Sequence, residues 1–295
     1  MKLLQLCLLL FTLFTNLFTG FSQDTTSTER TSSLLWEISG KKVKSPSYIF
    51  GTMHLIPKDQ FLFPESLQDK VKNADLLVME IGGLSEQMKG MQLMMLEEGN
   101  LFDFFTQEQA DSIFTYSEEN LGYTEEQLRT MFGKMKPFVL IQLMTKNSFG
   151  ESPASYEMSL EKIAKENETS VEGLETIEEQ MALFDNIPME EQVEMVMSSL
   201  RNADSSAVET QKLIDAYLNQ DIDSLHQYMK QSDSEMSGFE DDFLNKRNKN
   251  WIPLIKQYIK KNKTFIAVGA GHLGGEKGVI ELLRQEGYTL TPIEL

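Results

Sequence analysis

Two histidines stand in the same short sequence pattern near opposite ends of the chain. Residues 51–54 (Gly-Thr-Met-His) and 269–272 (Gly-Ala-Gly-His) both read Gly-x-x-His, and each follows a short apolar run typical of a β-strand. The 295-residue chain has only three histidines, so two of the three share this pattern. Because histidine is the commonest metal ligand and the usual proton carrier near neutral pH, His54 and His272 indicate one shared site built from both termini.

Glu80 is the third candidate, because it lies near the end of the mostly apolar run 75–81, which has the pattern of a buried central strand. Sites in open α/β sheets lie at the carboxyl ends of strands, where both histidines are also expected. Two imidazoles and one carboxylate form a common catalytic metal set that leaves positions for water and substrate. Glu80 could be a metal ligand or the general base. The alternative is that each histidine is a satisfied buried residue beside a tight turn.

Glycines accompany both histidines and are predicted to let the backbone approach the site closely. They are Gly51, Gly269 and Gly271. The His-Glu-x-x-His helix of the common zinc proteases is absent from the sequence. Histidine and carboxylate ligation alone does not choose between manganese, cobalt and zinc, so we expect a divalent ion of this group.

The apolar runs predict strands near both ends of the chain and a mainly helical segment between them. The predicted strands are 34–38, 47–52, 75–81, 264–268 and 288–293, with a possible sixth at 170–174. This pattern predicts a single α/β domain over residues 34–295. Its central mixed sheet is built from strands near both termini, with a large helical middle segment. The methionines at 88, 91, 94 and 95 are predicted to pack a helix interface, and His226 is predicted to lie on the surface.

Residues 1–23 have the layout of a secretory signal peptide, with a basic start, an apolar stretch and cleavage predicted after Gln23. The alternative is an uncleaved anchor, although the apolar stretch is short for a transmembrane helix. Residues 24–33 are predicted to be a disordered tail. Cys7 lies in the leader, so the mature chain would have no disulfide and no thiol nucleophile. We therefore expect an exported protein, periplasmic or secreted, with no membrane span after signal cleavage.

The charge balance excludes one broad class of partner. The chain has 27 Lys and Arg against 45 Asp and Glu, a net charge of −18. Such a surface repels phosphate backbones, so we expect no nucleic-acid partner. Cations are attracted instead. The sequence assigns no oligomeric state.

Five segments together resemble the TraB/GumN family, the bacterial relatives of the Tiki-type metalloproteases. They occur in the family's order and cover nearly all of residues 34–295. The segments are YIFGTMH at 48–54, LVME at 77–80, GLETIEEQ at 173–180, RNKNWI at 247–252, and VGAGHLGG at 268–275 with Gly278 and Val279.

The resemblance implies a divalent-metal site at His54, Glu80 and His272, peptidase-type hydrolysis, and a fold similar to the erythromycin-esterase and ChaN-like proteins. It also implies that Arg247 lies near the site as a catalytic residue. Its guanidinium could bind a substrate carboxylate or the developing oxyanion. The alternative for Arg247 is a salt bridge on the helix surface.

Three further residues form a second group of candidates. Asn248 follows Arg247 in the Arg-Asn motif, and Glu175 ends the possible strand at 170–174. Many members of the family have Leu-Asp where this chain has Tyr156-Glu157, at the start of a predicted helix. Glu157 keeps the carboxylate but at a longer reach.

We therefore expect an exported divalent-metal-dependent hydrolase that uses metal-activated water on a peptide or protein substrate. One alternative is a non-catalytic periplasmic protein of the same fold that binds metal, haem or a peptide. Another is hydrolysis of a non-peptide ester, which rests on fold analogy alone.

Overall fold

The computed structural model describes residues 32–41, 43–150, 152–233 and 240–295. The predicted signal peptide and residues 24–31 of the predicted tail lie outside this part. The last two residues of that tail segment are held in place. The Ser32 hydroxyl donates to the Gln220 carbonyl at 2.6 Å, and the Ser33 hydroxyl donates to the Ile293 carbonyl at 2.5 Å.

A six-stranded mixed sheet forms the centre of the described fold. Its strands are β1 (Leu35–Ser39), β2 (Ser47–Thr52), β3 (Leu76–Ile81), β4 (Ser170–Glu175), β5 (Thr264–Gly269) and β6 (Thr289–Ile293). The order across the sheet is β4-β3-β5-β2-β1-β6. Strands β4, β3, β5 and β2 are parallel, whereas β1 is antiparallel to β2 and β6. The predicted mixed sheet from both termini is confirmed, and the possible sixth strand is β4 at one edge.

Strands β3 and β5 lie in the interior of the sheet, as their sequences require. All six residues of β5 are buried, and so are the first five of β3. A parallel strand covered on both faces carries a continuous apolar run rather than an alternating one. The run in β3 is interrupted only by Glu80, a buried charge that needs partners.

Helices fill most of the described chain between β3 and β5, with one more helix before β3 and one after β5. They are α1 (Glu65–Lys72), α2 (Gly83–Leu93), α3 (Gln107–Tyr116), α4 (Glu125–Phe132), α5 (Phe138–Asn147), α6 (Tyr156–Glu166), α7 (Ile177–Asp185), α8 (Met189–Arg201), α9 (Ala203–Leu218), α10 (Ile222–Asp233), α11 (Lys246–Lys261) and α12 (Val279–Gln285). Thr176 caps α7 through a capping box with Glu179. Within the described ranges, no helix is long and apolar enough to cross a membrane.

The buried apolar side chains form two clusters. The larger one surrounds the sheet and includes Ile49, Val78 and Ile266. The smaller one lies within the helical segment and includes Phe114 and Ile141. The larger cluster thus belongs to the sheet and the smaller one to the helical block. Helix α11 contributes Trp251 and Ile255 to the larger cluster, and Phe243, in the turn before α11, belongs to the smaller one.

The methionine prediction is wrong for three of the four residues. Met88, Met91 and Met95 are exposed, by 61%, 68% and 44%. Met94 does pack, against the helical cluster. The spacing predicts a helix correctly for Met88 and Met91 but not its buried face, and the helix ends at Leu93, before Met94 and Met95.

Candidate functional site

The three predicted ligands lie near one edge of the sheet because their strands are parallel. Strand β5 pairs with both β2 and β3, and Thr52 is opposite Gly269 at the carboxyl ends of β2 and β5. Glu80 lies near the end of β3, and the Gly269 amide donates to its Oε1 at 2.7 Å. His272 lies in the 3-10 turn after β5, and His54 follows β2 by two residues. The topology thus joins sequence positions more than 200 residues apart.

Arg247 is the hub of the buried part of this site. From α11 its Nη2 donates to Glu80 Oε2 and to Glu175 Oε1, both at 2.5 Å. Its Nη1 donates to the Phe243 carbonyl at 2.9 Å and to His272 Nε2 at 3.1 Å. The Arg247 side chain is 6% exposed. The surface salt-bridge alternative for Arg247 is therefore wrong, because its partners are two buried carboxylates.

His272 is held in one tautomer by its neighbours. Arginine can only donate, so Nε2 of His272 accepts from Arg247, and Nδ1 carries the proton. That Nδ1 donates to Asn248 Oδ1 at 2.6 Å, while the Asn248 amide donates to the Lys277 carbonyl at 3.0 Å. Burial lowers the pKa of His272 to about 3; Glu80 opposes this change and the Arg247 charge adds to it. The ring is therefore neutral at physiological pH.

The two carboxylates of the buried part respond differently to the same cation. Burial alone would raise the pKa of Glu80, but the Arg247 guanidinium, together with the two histidines and the Gly269 amide, lowers that pKa to about 2. For Glu175, burial raises the pKa more than Arg247 lowers it. Glu175 also accepts from Trp251 Nε1 and from Gln180 Nε2, each at 3.2 Å. Glu80 is thus ionised at physiological pH, whereas the pKa of Glu175 is raised, so Glu175 is the more easily protonated of the two carboxylates.

His54 and Glu157 form the exposed part of the site. His54 Nδ1 lies 3.0 Å from Glu157 Oε1, and their side chains are 39% and 25% exposed. Hydroxyls of Thr52 and Ser155 donate to the same carboxylate at 2.7 and 3.1 Å. Burial on its own lowers the pKa of His54, but Glu157, and more weakly Glu80, raise it to about 9. Glu157 thus reaches the histidine from the first turn of α6.

The two histidines share an orientation that suits metal ligation. In each ring Nδ1 faces an oxygen acceptor, Asn248 for His272 and Glu157 for His54, so Nε2 is the nitrogen that could bind an ion, although Nε2 of His272 accepts from Arg247 Nη1 in this structure. Metal-binding histidines are held in this manner by a second layer of acceptors. His272 Nε2 and Glu80 Oε1 lie 3.8 Å apart. The donor types and orientations fit a divalent ion.

The side chains of these groups do not form a compact set of metal ligands in the described structure. Across the described residues, no group of three or more His, Cys, Asp and Glu side chains stands close enough together to hold one. Ligand atoms of zinc lie about 2.0–2.2 Å from the ion. At His272 the place in front of Nε2 is taken by Nη1 of Arg247. Ligation there requires this contact to open.

The glycines differ in how strictly the site needs them. A side chain at Gly51 would place its Cβ 2.9 Å from Ala270 Cα and 2.7 Å from Leu273 Cδ1. A Cβ at Gly269 would lie 3.2 Å from Glu80 Oε1, a tight but milder contact. Gly271 lies inside the turn Ala270–His272. Gly51 is therefore the position where the absence of a side chain brings β2 and the turn together.

Some residues of the site were not predicted. The centre of the Trp251 ring lies 4.4 Å from that of the His272 ring. The Arg247 guanidinium lies over the same Trp251 ring, 4.9 Å from its centre. Thr52 and Ser155, which hold Glu157, were missed as well. The four-residue spacing of Arg247 and Trp251 on one helix was the available signal, since such residues share a face. The third histidine, His226, is 18% exposed and packs near Gly275, so its predicted surface position is only partly right.

Comparison with known proteins agrees with the quoted motifs. A family model described as the TraB/PrgY/gumN family matches residues 34–292. This range contains both Gly-x-x-His segments and every residue of the site described above. A search of curated proteins found no match, and a search of solved structures found none. On the strength of a match over nearly its whole length, the chain belongs to the TraB/PrgY/gumN family.

Proposed function

We propose that this protein is an exported, divalent-metal-dependent hydrolase that cleaves amide bonds in a peptide or protein substrate. One observation carries the proposal. His54 and His272 follow two neighbouring parallel strands, and each has its Nδ1 against an oxygen acceptor, so that Nε2 is the nitrogen with which each ring would bind an ion. Two histidines held in the same way after neighbouring strands are more typical of a shared ligand site than of two unrelated structural residues.

His54, Glu80 and His272 would hold the ion, which is manganese, cobalt or zinc. When bound, such an ion lowers the pKa of a coordinated water and polarises the scissile carbonyl. A carboxylate whose pKa is about 2 is a weak base at neutral pH, which supports a ligand role for Glu80 over a general-base role. Neutral His272 is already in the protonation state that ligation requires.

The exposed part of the site supplies access for the substrate. Glu157 raises the pKa of His54 to about 9, so ligation of an ion by His54 would require the ring to lose a proton. Glu157, itself held by the hydroxyls of Thr52 and Ser155, would then fix the orientation of the ring. The buried guanidinium of Arg247 contacts Glu80, Glu175 and His272, so it would have to leave one of these partners to bind a substrate carboxylate or the developing oxyanion.

Metal analysis of the purified protein tests the proposal. The parent is expected to retain about one divalent ion, and His54→Ala and His272→Ala are expected to lose it. His226→Gln is the matched control, because it removes the remaining histidine without touching the site. If both alanine variants hold metal as well as the parent, the shared site is wrong.

Cleavage of a peptide library with and without added Mn²⁺, Co²⁺ or Zn²⁺ separates an enzyme from a binding protein. We expect cleavage that depends on the ion and is lost in both histidine variants. Retained metal without cleavage of any peptide would favour the non-catalytic alternative.

Export is part of the proposal and rests on the sequence. Residues 1–23 have the signal-peptide layout, and removal of this leader leaves a chain without cysteine. Amino-terminal sequencing of the protein from a bacterial periplasm is expected to start at Asp24. Full-length protein in the membrane fraction would favour the uncleaved anchor.

A further inference from the structure

The guanidinium of Arg247 occupies the place between two of the proposed metal ligands. It donates to Glu80 Oε2 through Nη2 and to His272 Nε2 through Nη1. Those two ligand groups are themselves separated by 3.8 Å, from Glu80 Oε1 to His272 Nε2. An arginine cannot share the single lone pair of a neutral imidazole nitrogen with a metal. The contact at His272 and ligation by His272 are therefore mutually exclusive.

We propose that Arg247 is the counter-cation of the metal-free site and withdraws from His272 towards Glu175 when a divalent ion binds. The proposal rests on the metal site proposed above and adds a competition between the ion and an internal cation. In the metal-free protein the guanidinium supplies the positive charge next to the buried Glu80. In the metal-bound protein a divalent ion would supply that charge.

Glu175 gives Arg247 a second partner that is not a proposed ligand. Nε of Arg247 donates to both carboxylate oxygens of Glu175 at 3.1 Å, and Nη2 donates to Oε1 at 2.5 Å. Trp251 also holds Glu175, through its Nε1. The Glu175 side chain is 8% exposed, so this pairing is shielded from water. Arg247 can thus leave His272 without leaving a buried carboxylate.

Charge supplies the reason for the withdrawal. A divalent ion at Glu80 and His272 would face the fixed positive charge of Arg247 across a buried contact, where repulsion is weakly screened. Competition of this kind lowers the affinity for the ion. Replacement of Arg247 and replacement of Glu175, which form one ion pair, should therefore change the affinity for the ion in opposite directions.

Zinc affinity measured by calorimetry tests this prediction. Arg247→Gln removes the competitor, so zinc is expected to bind at least about tenfold more tightly, given the strength of a charged hydrogen bond. Glu175→Gln removes the partner to which Arg247 withdraws, so binding is expected to weaken by about tenfold. The matched control is Lys246→Gln, which removes the same charge from the exposed neighbour and should leave the affinity unchanged. A merely structural role would weaken binding in both site variants.

Trp251 provides a readout that does not depend on activity or on the folding of Arg247→Gln. The chain has two tryptophans, Trp36 and Trp251. In a Trp36→Phe background the emission reports the ring that contacts both Arg247 and His272. Zinc, which does not quench by electron transfer, is expected to shift this emission in the parent. The shift should be smaller in the Arg247→Lys variant, which cannot make the bidentate contacts.

The outcomes separate this inference from the proposed function. Zinc binding by the parent that weakens in Arg247→Gln overturns the competition and leaves the metal site standing. Zinc binding with unchanged Trp251 emission also overturns it. If neither the parent nor Arg247→Gln binds zinc, manganese or cobalt, the metal site itself is wrong, and the competition falls with it.

Discussion

His272 is fully buried beyond β5, whereas the side chain of His54 beyond β2 is 39% exposed. The glycines before them also differ, because Gly51 lies inside β2 opposite Val268, and Gly269 is the last residue of β5. The chain then turns through a 3-10 turn to His272. Two segments with one sequence pattern therefore have different local structures. Their shared feature is the edge of the sheet at which both end.

The difference divides the site into a buried half and an exposed half. The buried half is a hydrogen-bonded cluster in which Glu80, Glu175 and the neutral His272 all contact Arg247. The exposed half is a single pair, His54 and Glu157, in contact with solvent. We infer that the buried half maintains the architecture of the site and that the exposed half receives the substrate. The following substitutions test this division.

The largest loss of stability is expected from Arg247→Ala. It leaves Glu80 and Glu175 buried without their cation, which costs about 3–5 kcal/mol in comparable pairs. Urea unfolding of the metal-free protein measures the change in the free energy of unfolding. Lys246→Ala is the control, because Lys246 pairs only with exposed acids and should cost about 0–1 kcal/mol. Equal effects of the two substitutions would refute the buried half as a structural unit.

The second largest loss is expected from Gly51→Ala. The added methyl group would press on the Ala270 backbone, which cannot move without shifting the turn that carries His272. Overpacking of this kind costs about 1–3 kcal/mol. Gly269→Ala is the comparison, because its Cβ would meet a carboxylate oxygen at 3.2 Å rather than backbone. Thermal unfolding of both variants should show the greater drop in Tm for Gly51→Ala.

The sequence predicted the sheet and its ends well because the signal there is local. The apolar run of β3 and the apolar residues of β5 are typical of buried parallel strands wherever they occur. The two Gly-x-x-His segments then identified the edge of the sheet, since sites collect where parallel strands end. The helical character of the middle segment was equally visible from its spacing.

The partners inside the site could not be predicted, because they depend on distances that no local pattern fixes. Nothing in the sequence places Arg247 between Glu80 and His272 rather than on the surface of its helix. The pairing of His54 with Glu157 joins residues 103 positions apart. The same limit explains the methionines of α2, whose spacing fits either face of the helix.

A smaller effect on stability, with a larger one on metal binding, is expected from Glu157→Gln. The pair it breaks is partly exposed, and such pairs contribute about 0–1 kcal/mol. Loss of the negative charge on the acceptor behind His54, a proposed metal ligand, is however expected to weaken ion affinity by about tenfold or more. Calorimetric titration with zinc, together with urea unfolding, measures the two effects on one sample. A large loss of stability without a loss of zinc affinity would show that Glu157 maintains the architecture of the site, as the residues of the buried half do.

The smallest effect is a pH dependence that separates the two halves in protein kept metal-free with EDTA. Glu157 raises the pKa of His54 from 6.5 to about 9, so the pair stabilises the fold fully below pH 6.5, and this contribution is lost as the pH rises through 9. Arg247, together with the two histidines and the Gly269 amide, lowers the pKa of Glu80 from 4.5 to about 2, so that contribution is present above pH 4.5 and is lost as the pH falls through 2.

The exposed half should therefore weaken on the alkaline side and the buried half on the acid side. Thermal unfolding from pH 6 to pH 9.5 is expected to show a small fall in Tm for the parent that His54→Gln lacks. Solvent screening of the exposed pair keeps this fall slight, so the comparison depends on the difference between the two curves. If the curves run parallel, His54 and Glu157 do not form a charged pair in the metal-free protein. The exposed histidine would then be neutral and ready for an ion at physiological pH, as His272 already is.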